Sequence, residues 1–376
     1  MKKFYLITFS LAISLCLSAQ APKTVIFSKG ENGFDTYRIP AVIQAKDGSL
    51  LAFAEARKHS MSDTGDIDLV LKRSTDGGKS WGEIITVWDD GANVCGNPSP
   101  VVDRKTGRIV LAATWNNGSD SEKDIHARVS NDTRRVFMMF SDDNGQTWSK
   151  PEDITVQAKL PEWTWYATGP CHAIQLENGR IIVPCNHGVF RDGKPAGTHS
   201  HVIYSDDCGQ TWQMGGCPGI GNESTIAILG NGDLLLNMRG WRIDRAAHGY
   251  ARIGAVSHDS GLSFEEHFFF SDLIEPSCNA SMADYSPHGR HTGAILFSNP
   301  EHISKRVNMT VRMSTDNGST WKRIFTVTEG PAAYSDLCVM KNGDVGILYE
   351  TGEDSAYETI SFSTISRKAL RKALRK

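Results

Sequence analysis

The chain has 376 residues, of which 40% are hydrophobic and 22% are charged, and its formal net charge is −3 at pH 7. This length is ample for a large core, in one all-β domain or in two smaller domains. The slightly negative charge does not suggest nucleic-acid binding.

The N-terminus has the pattern of a secretory signal peptide. Lys2 and Lys3 precede an apolar run from Phe4 to Ala19, and Ala19 offers a small residue for cleavage. The run is short for a membrane span, and a bulky Leu15 before Cys16 argues against a lipoprotein anchor there. We therefore expect a signal peptide at residues 1–19 and a secreted or periplasmic mature chain without a membrane span.

A short hairpin with a glycine turn recurs along the chain. In its first copy, Ala41-Val42-Ile43 and Leu50-Leu51-Ala52-Phe53 flank the turn Lys46-Asp47-Gly48-Ser49. Such turns suit short antiparallel hairpins. Equivalent turns follow at Gly107, Gly179, Gly232 and Gly343.

A second repeat, Ser-Xaa-Asp-Xaa-Gly-Xaa-(Ser/Thr)-Trp, lies between these hairpins. Apolar runs flank each copy, so we expect it to join two strands. Its Asp can accept from backbone N–H groups, its Gly permits a positive φ, and its Trp buries a ring. A calcium site of the EF-hand type would need more acidic ligands. The copies are Ser74–Trp81, Ser141–Trp148, Ser205–Trp212 and Ser314–Trp321, with a weaker copy at Ser257–Phe264.

We call the second repeat the Asp box. Together, the two repeats define six units, each with four strands named a to d in chain order. The glycine turn joins strands a and b, a loop joins b and c, and the Asp box joins c and d. The fifth unit, from Cys278, is less regular, and the sixth lacks a box. The run Thr24–Phe27 is expected to complete the sixth sheet. Helical periodicity is almost absent, which disfavours an α/β fold. The predicted fold class is therefore all-β, a six-bladed β-propeller with Asp-box turns over residues 20–366.

Two other features receive simpler interpretations. Residues 367–376 form a basic tail that we expect to be a frayed, solvated end rather than an adhesive patch. Beyond the signal peptide seven cysteines remain, and we expect scattered core residues with at most one or two disulfides, since no spacing matches a zinc site. The histidines are scattered, and nothing in the sequence pairs them as metal ligands.

The topology predicts which residues meet. In an up-and-down blade, the start of strand a, the end of strand b and the start of strand c share one edge. Polar residues at these positions should converge on one mouth of the propeller. They are Arg38, Asp63, Glu223, Arg239, Arg306 and Tyr334.

These motifs, taken in order, resemble those of bacterial exo-sialidases (neuraminidases) of the six-bladed, glycoside hydrolase family 33 type. The resemblance covers Arg38 to Ile365, nearly all of the expected mature chain. The box repeats are moderately specific because other propellers use them, whereas the ordered set is highly specific. The set is Tyr37-Arg38-Ile39-Pro40, the boxes, Asn222-Glu223, Asn237-Met238-Arg239 and Ala333-Tyr334-Ser335-Asp336.

The resemblance implies that three arginines, Arg38, Arg239 and Arg306, bind the carboxylate of sialic acid. Guanidinium groups bind carboxylates through charge-assisted, bidentate hydrogen bonds, which suits this role. Arg312 lies near Arg306 and is an alternative to it, although its position within a strand favours a sideways orientation. Weaker alternatives to Arg239 are Arg242, Arg245 and Arg252.

The resemblance also implies that Tyr334 is the nucleophile and Glu223 its base. Sialidases with Tyr are an exception among retaining glycosidases. A neutral phenol avoids the repulsion between a carboxylate nucleophile and the substrate's own carboxylate, and we expect nearby arginines to ease its deprotonation. Asp63 is implied as the general acid/base, with Asp66 as its local alternative.

Three further features have weaker roles. Arg57, at the end of strand b in unit one, is expected to reach a sugar hydroxyl. Glu350 is placed to orient Arg38. The segment Pro161 to Tyr166, with Trp163 and Trp165, is either a wall of the sugar site or a packing element.

The sequence thus predicts an exo-α-sialidase that releases terminal sialic acid from glycoproteins, glycolipids and oligosaccharides with retention, through a tyrosyl-linked intermediate. No cofactor or metal is implied, and the oligomeric state is left open. A trans-sialidase or an enzyme for a related ulosonic acid would share these residues. A lectin-like propeller would be expected to lack Tyr334, Glu223 or Asp63, and a scaffold propeller would lack the arginine convergence.

Overall fold

The structure, a computed structural model, describes residues 23–240, 244–287 and 292–374. The expected signal peptide at residues 1–19 lies outside these ranges. The described chain is built from antiparallel strands with four short helices, which confirms the all-β class. None of the helices within these ranges has the length and apolarity needed to cross a membrane.

The first unit shows how the local sequence forms the sheet. Strands β2 (Thr36–Gln44) and β3 (Leu50–Arg57) pair around Gly48, which has a φ of +92°. The Asp47 carboxylate accepts from the Ser49 backbone N–H at 2.9 Å and closes that turn. Strands β4 (Ile67–Ser74) and β5 (Ile85–Trp88) continue the sheet.

Three more units follow in the expected order, with helices in or after their loops. The second contains β6 (Val94–Val102), β7 (Ile109–Asn116), α1 (Glu122–Ala127), β8 (Arg135–Ser141) and β9 (Glu152–Asp153), followed by α2 (Thr155–Ala158). The third contains β10 (Tyr166–Thr168), β11 (Ile174–Gln175), β12 (Ile181–Arg191), β13 (Lys194–Ser205) and β14 (Gln213–Met214). The fourth contains β15 (Ser224–Ile228), β16 (Leu234–Met238), α3 (Arg245–His248), β17 (Ala251–Ser257) and β18 (Phe268–Ile274).

The last two units share one long strand. The fifth contains β19 (Ser281–Asp284), β20 (Ile295–Pro300), β21 (Val307–Ser314) and the first part of β22 (Lys322–Val339). The second part of β22 begins the sixth unit, with β23 (Val345–Thr351) and β24 (Thr359–Ile365). As the sequence predicted, the N-terminal strand β1 (Lys23–Ser28) pairs with β24 and completes this unit.

The five serine-aspartate repeats form turns with a common hydrogen-bond pattern. In the first, the Asp76 carboxylate accepts from the Ser80 N–H at 3.0 Å and from the Ser80 hydroxyl at 2.6 Å. The Ser74 hydroxyl oxygen accepts from the Gly78 N–H at 2.8 Å. These bonds explain why each turn needs a carboxylate and a small hydroxylated residue at fixed positions.

A buried carboxylate joins the first strands of several units. Asp336 on β22 accepts from the Val42 N–H of unit one at 2.8 Å and from the His172 N–H of unit three at 3.1 Å. The Ser281 hydroxyl of unit five donates to the same side chain at 2.7 Å. The first strands of these units therefore converge at Asp336, and apolar clusters fill the space between neighbouring sheets.

The C-terminal segment differs from the expected frayed end. Residues Arg367–Leu374 form helix α4, and Leu370 is buried against the core of the last two units. Within α4, Leu370 and Ala369 pack against this core, whereas Lys368, Arg371 and Lys372 are exposed. The expected solvated tail is therefore wrong for residues 367–374. All seven described cysteines are free thiols.

Candidate active site

All seven site residues predicted from the sequence line one cavity of about 230 Å³. The cavity lies where strands a begin and strands b end, which is the edge that the topology predicted. Five arginines and four carboxylates line it, a formal excess of one positive charge. The seven are Arg38, Arg57, Asp63, Glu223, Arg239, Arg306 and Tyr334.

Breaks in strand pairing direct two of these side chains into the cavity. The β2–β3 register shifts between Arg38 and Ala41, and Ile39 has a φ of +59°, a rare conformation for a β-branched residue. The β22–β23 register shifts between Ala332 and Ser335, around Tyr334. A β-bulge bends the strand and redirects side chains, which accounts for both placements.

Tyr334 and Glu223 form the centre of the site. The Tyr334 hydroxyl donates to Glu223 Oε1 at 2.6 Å, and Arg239 Nη1 donates to Glu223 Oε2 at 2.5 Å and to Tyr334 Oη at 3.0 Å. Tyr334 is only 5% exposed. The carboxylate is thus positioned to take the phenolic proton, and the guanidinium to stabilise the oxygen that remains.

The pKa of Tyr334 combines the predicted effect of the arginines with two larger, opposing effects. Burial raises the pKa of its phenol well above the usual value, and the Glu223 carboxylate adds to the increase. Arg239 and Arg306 lower the pKa but do not outweigh these two effects. The predicted effect of the arginines is therefore present in direction, but burial and Glu223 outweigh it and leave the phenol neutral at physiological pH.

Arg38 is held rigidly by a buried carboxylate. Arg38 Nε donates to Glu350 Oε1 at 2.8 Å, and the backbone N–H groups of Ile39 and Tyr334 each donate to Glu350 at 3.0 Å. The orienting position expected for Glu350 is thus observed. Its side chain also ties the Arg38 bulge to the Tyr334 bulge, so the two functional groups keep a fixed separation.

The structure separates the arginine candidates. Arg306 lies in the cavity, where its Nη1 donates to the Tyr357 hydroxyl at 2.7 Å. Arg312 instead pairs with Glu301 at 2.7 Å, away from the cavity lining. Arg252 is buried and donates to Glu275 at 2.9 Å, outside the lining that contains Arg239. Arg242 and the Arg245 side chain lie outside the described part of the chain.

Asp63 and Arg57 form an ion pair at the rim. Arg57 Nη2 lies 2.7 Å from Asp63 Oδ1 and 2.6 Å from Glu55 Oε2, and the Asp63 side chain is 64% exposed. Partial desolvation opposes ionisation of Asp63, but the charges of Arg57 and Arg38 outweigh it and hold its pKa below the usual range. Asp66, the local alternative, pairs with Lys58 instead.

The comparisons with known proteins agree with this geometry. Residues 48–347 match the family model of the BNR repeat-like domain. A sialidase from Bacteroides fragilis is 31% identical over 86% of this chain and 61% of its own length. Sialidase-3 of Mus musculus is 30% identical over 91% of this chain and 94% of its own length.

The chain belongs to the bacterial-type sialidase family.

A solved relative supports this membership. The structure of Hadza microbial sialidase Hz136 superposes with a TM-score of 0.78 at 30% identity, covering 90% of this sialidase-family chain and 67% of the other. The chain spans 61% of the length of the Bacteroides fragilis relative, so that relative carries further sequence.

The sialidase-family cavity contains residues that the sequence analysis missed. Arg134 lines it beside Trp165, with its guanidinium carbon 4.0 Å from the ring centroid, and burial lowers the Arg134 pKa to about 10. Arg134 directly precedes β8, as Arg306 directly precedes β21. The expectation that polar residues at the start of strand c line the site would therefore have identified Arg134 as well. Trp165 forms part of the cavity wall, whereas Trp163 stacks on His187 at 3.5 Å.

Asn186 is the second residue that the sequence analysis missed. It lies near the middle of β12, lines the cavity and is fully buried. Neither its Oδ1 nor its Nδ2 has a hydrogen-bond partner among the described residues. Since an unsatisfied buried amide costs free energy, this side chain is available for a polar ligand group.

Several histidines are grouped, contrary to the sequence-based expectation. His187 pairs directly with His199 across the β12–β13 ladder, and the His187 and His201 rings are joined by a 3.1 Å contact between Nδ1 atoms. Burial lowers the pKa of His187 and His199 and brings that of His201 to about 3, so these imidazoles are neutral at physiological pH. His187 stacks on Trp163, and none of the three histidines lines the cavity.

Proposed function

We propose that this protein is an exo-α-sialidase that hydrolyses terminal sialic acid from glycoproteins, glycolipids and oligosaccharides with retention of configuration. The observation that carries the proposal is the hydrogen-bonded set of Tyr334, Glu223 and Arg239 inside an arginine-rich cavity. Family membership supports the same activity.

The architecture proposed for this enzyme is a six-bladed β-propeller with Asp-box turns. Six antiparallel units follow one another in sequence, and β1 pairs with β24 to join the two ends of the chain. Several first strands meet at Asp336, as expected for strands that surround a central axis. Similarity to Hadza microbial sialidase Hz136 supports this arrangement.

Substrate binding is assigned to the arginines. Arg38, Arg239 and Arg306 bind the sugar carboxylate, because their guanidinium groups surround the Tyr334 phenol, with two of them 5.2 Å and 5.3 Å from its ring centroid. Arg57 contacts a sugar hydroxyl at the rim, and the Asn186 amide pairs with a polar substituent of the sugar. Trp165 contributes an apolar wall.

In the first chemical step, Tyr334 Oη attacks the anomeric carbon and the glycosidic bond breaks. The phenolic proton passes to Glu223, whose Oε1 lies 2.6 Å from the hydroxyl. The leaving oxygen takes its proton from the protonated form of Asp63, which is a minor form because Arg57 and Arg38 lower the Asp63 pKa, and Asp63 is left as the carboxylate. Because burial raises the Tyr334 pKa, the proton must leave as the new bond forms.

In the second step, the Asp63 carboxylate takes a proton from water as the water oxygen attacks the anomeric carbon. The bond to Tyr334 breaks, and Glu223 returns the proton to the phenolate. Two displacements at one carbon give net retention. The arginines hold the substrate carboxylate in one orientation throughout both steps. Their own positive charge does not stabilise the positive charge that develops on the sugar ring.

The test is release of 4-methylumbelliferone from its α-sialoside, with NMR of the first sugar anomer released. The proposal expects wild-type activity, initial release of the α-anomer, and a loss of several kcal/mol of transition-state stabilisation in Tyr334→Phe. Initial release of the β-anomer would contradict retention. Binding of sialosides without hydrolysis would contradict the proposed hydrolase activity and favour a lectin-like function.

Secretion is proposed from the sequence alone, through the pattern at residues 1–19. A full-length chain expressed in a bacterium should appear outside the cytoplasm with residues 1–19 removed. N-terminal sequencing of the mature protein tests this directly, and an intact Met1 in the exported protein would contradict it.

A further inference from the structure

Three side chains of the third unit form a group that the catalytic proposal does not use. His187 on β12 is paired with His199 on β13, and Cys217 lies in the loop after β14. One potential ligand atom from each lies within 4.8 Å of the other two. We propose that His187, His199 and Cys217 bind a Zn²⁺ ion.

The donor set fits zinc. Two imidazoles and a thiolate are ligands that Zn²⁺ accepts in tetrahedral geometry, with water in the fourth position. Bond lengths of about 2.0–2.3 Å place tetrahedral donors about 3.5 Å apart. The ligand atoms therefore need to approach by about 1 Å. Cys217 is exposed, so the ion can reach its thiol from solvent.

Buried hydrogen bonds orient His187 for metal binding. The Cys185 thiol donates to the Val183 carbonyl. The Tyr166 hydroxyl oxygen can accept from His201 Nε2, at 3.1 Å. This leaves His201 Nδ1 as the acceptor for the His187 Nδ1–H, at 3.1 Å. His187 Nε2 is then the unprotonated nitrogen, the state that a metal ligand requires.

The site would fasten a loop that leads to Glu223. Thr198 and Ser200, on either side of His199, donate through their hydroxyls to the carbonyls of Gly221 and Asn222. Cys217 belongs to the same loop, nearer its start. A metal bonded to both His199 and Cys217 would therefore join two parts of this loop to the β12–β13 hairpin, outside the catalytic cavity.

The experiment uses full-length mature protein dialysed against EDTA and then titrated with Co²⁺ or Zn²⁺ alone. Co²⁺ should produce a near-ultraviolet thiolate-to-cobalt charge-transfer band at one equivalent. Zn²⁺ at about 100-fold above its Kd should raise Tm by about 5 °C. Both effects should be lost in Cys217→Ser and weakened at least tenfold in metal affinity in His199→Gln.

Cys208→Ser is the matched control, because Cys208 lies in the same unit but outside the three-residue group. It should keep the cobalt band and the Tm shift. The metal-free forms of all variants should melt within about 2 °C of the wild type, which separates lost binding from misfolding. A wild-type protein without the cobalt band, or a band that persists in Cys217→Ser, would overturn the site.

Discussion

The Tyr334 hydroxyl lies 2.6 Å from Glu223 Oε1, although 111 residues separate the two in sequence. Tyr334 comes from a bulge in β22, and Glu223 directly precedes β15. The contact joins a neutral phenol to the acceptor of its proton. Burial and the Glu223 charge together keep the proton on the phenol.

We expect Glu223→Gln to lower kcat by about 10²–10⁴-fold, the usual contribution of a general base. The amide keeps the size of the side chain and can still accept the hydrogen bond, but it cannot take the proton. Steady-state kinetics on a 4-methylumbelliferyl sialoside measure the loss.

Glu265→Gln is the control for that substitution, since Glu265 pairs with His258 at the surface and does not line the cavity. Its kcat should remain within twofold of the wild type. Full activity in Glu223→Gln would remove Glu223 from the proton route.

Asp63→Asn should impair a natural sialoside much more than the aryl sialoside. An alkoxide leaving group needs a proton from the acid, whereas a stabilised aryl oxide needs it less. We expect kcat/KM for sialyllactose to fall by about 10²–10⁴-fold, with a smaller decrease for the aryl substrate. Asp66→Asn, which removes the local alternative, should leave both substrates nearly unaffected. Equal losses on the two substrates would contradict the acid role.

The pKa of Asp63 should depend on Arg57. Arg57 lies 2.7 Å from Asp63 and favours its ionised form, so the folded-state pKa is lowered and any resulting stability is lost as pH falls through that pKa. In Arg57→Met the pKa should rise, as measured by NMR titration of the carboxyl carbon. Arg57→Lys should retain part of the decrease. An unchanged pKa in Arg57→Met would show that the ion pair is not populated in solution.

Arg306→Met should lower kcat/KM by about 10²-fold or more, because a desolvated carboxylate loses a charged partner. Inhibition by a sialic acid analogue should weaken in parallel. Arg312→Met is a matched control six residues further along the chain, within β21, since its guanidinium pairs with Glu301 rather than lining the cavity. A larger catalytic loss in Arg312→Met than in Arg306→Met would reverse the assignment.

Asn186→Leu should stabilise the free protein and weaken substrate binding. Removing a buried amide without partners should raise the free energy of unfolding by about 1 kcal/mol, and KM should increase about tenfold. Denaturant unfolding and steady-state kinetics measure the two effects.

Asn237→Leu tests the opposite case. Asn237 is also buried, but its Oδ1 accepts from Arg252 at 2.7 Å, so the variant should lose about 1–3 kcal/mol of stability. If Asn186→Leu were equally destabilising, its amide would have a partner in solution and the assignment to substrate would fail.

The sequence by itself determined the strand order and the edge that carries the site. Glycine turns and serine-aspartate turns are local hydrogen-bonded structures, so their residues can be recognised without the fold. Once strands a, b and c were ordered, the ends of the strands placed Arg38, Glu223, Arg239, Arg306 and Tyr334 at one edge. The same rule would have located Arg134, had it been applied to β8.

Only the tertiary structure decided properties that depend on distances between units. The raised Tyr334 pKa results from desolvation and the Glu223 charge, and neither can be obtained from local sequence. The grouping of His187 with Cys217 depends on a loop returning to a hairpin 30 residues earlier in the chain. Leu370 likewise acquires its role only when helix α4 meets the sheet. Local patterns specify backbone hydrogen bonds, whereas burial and electrostatics are sums over neighbours that the folded chain supplies.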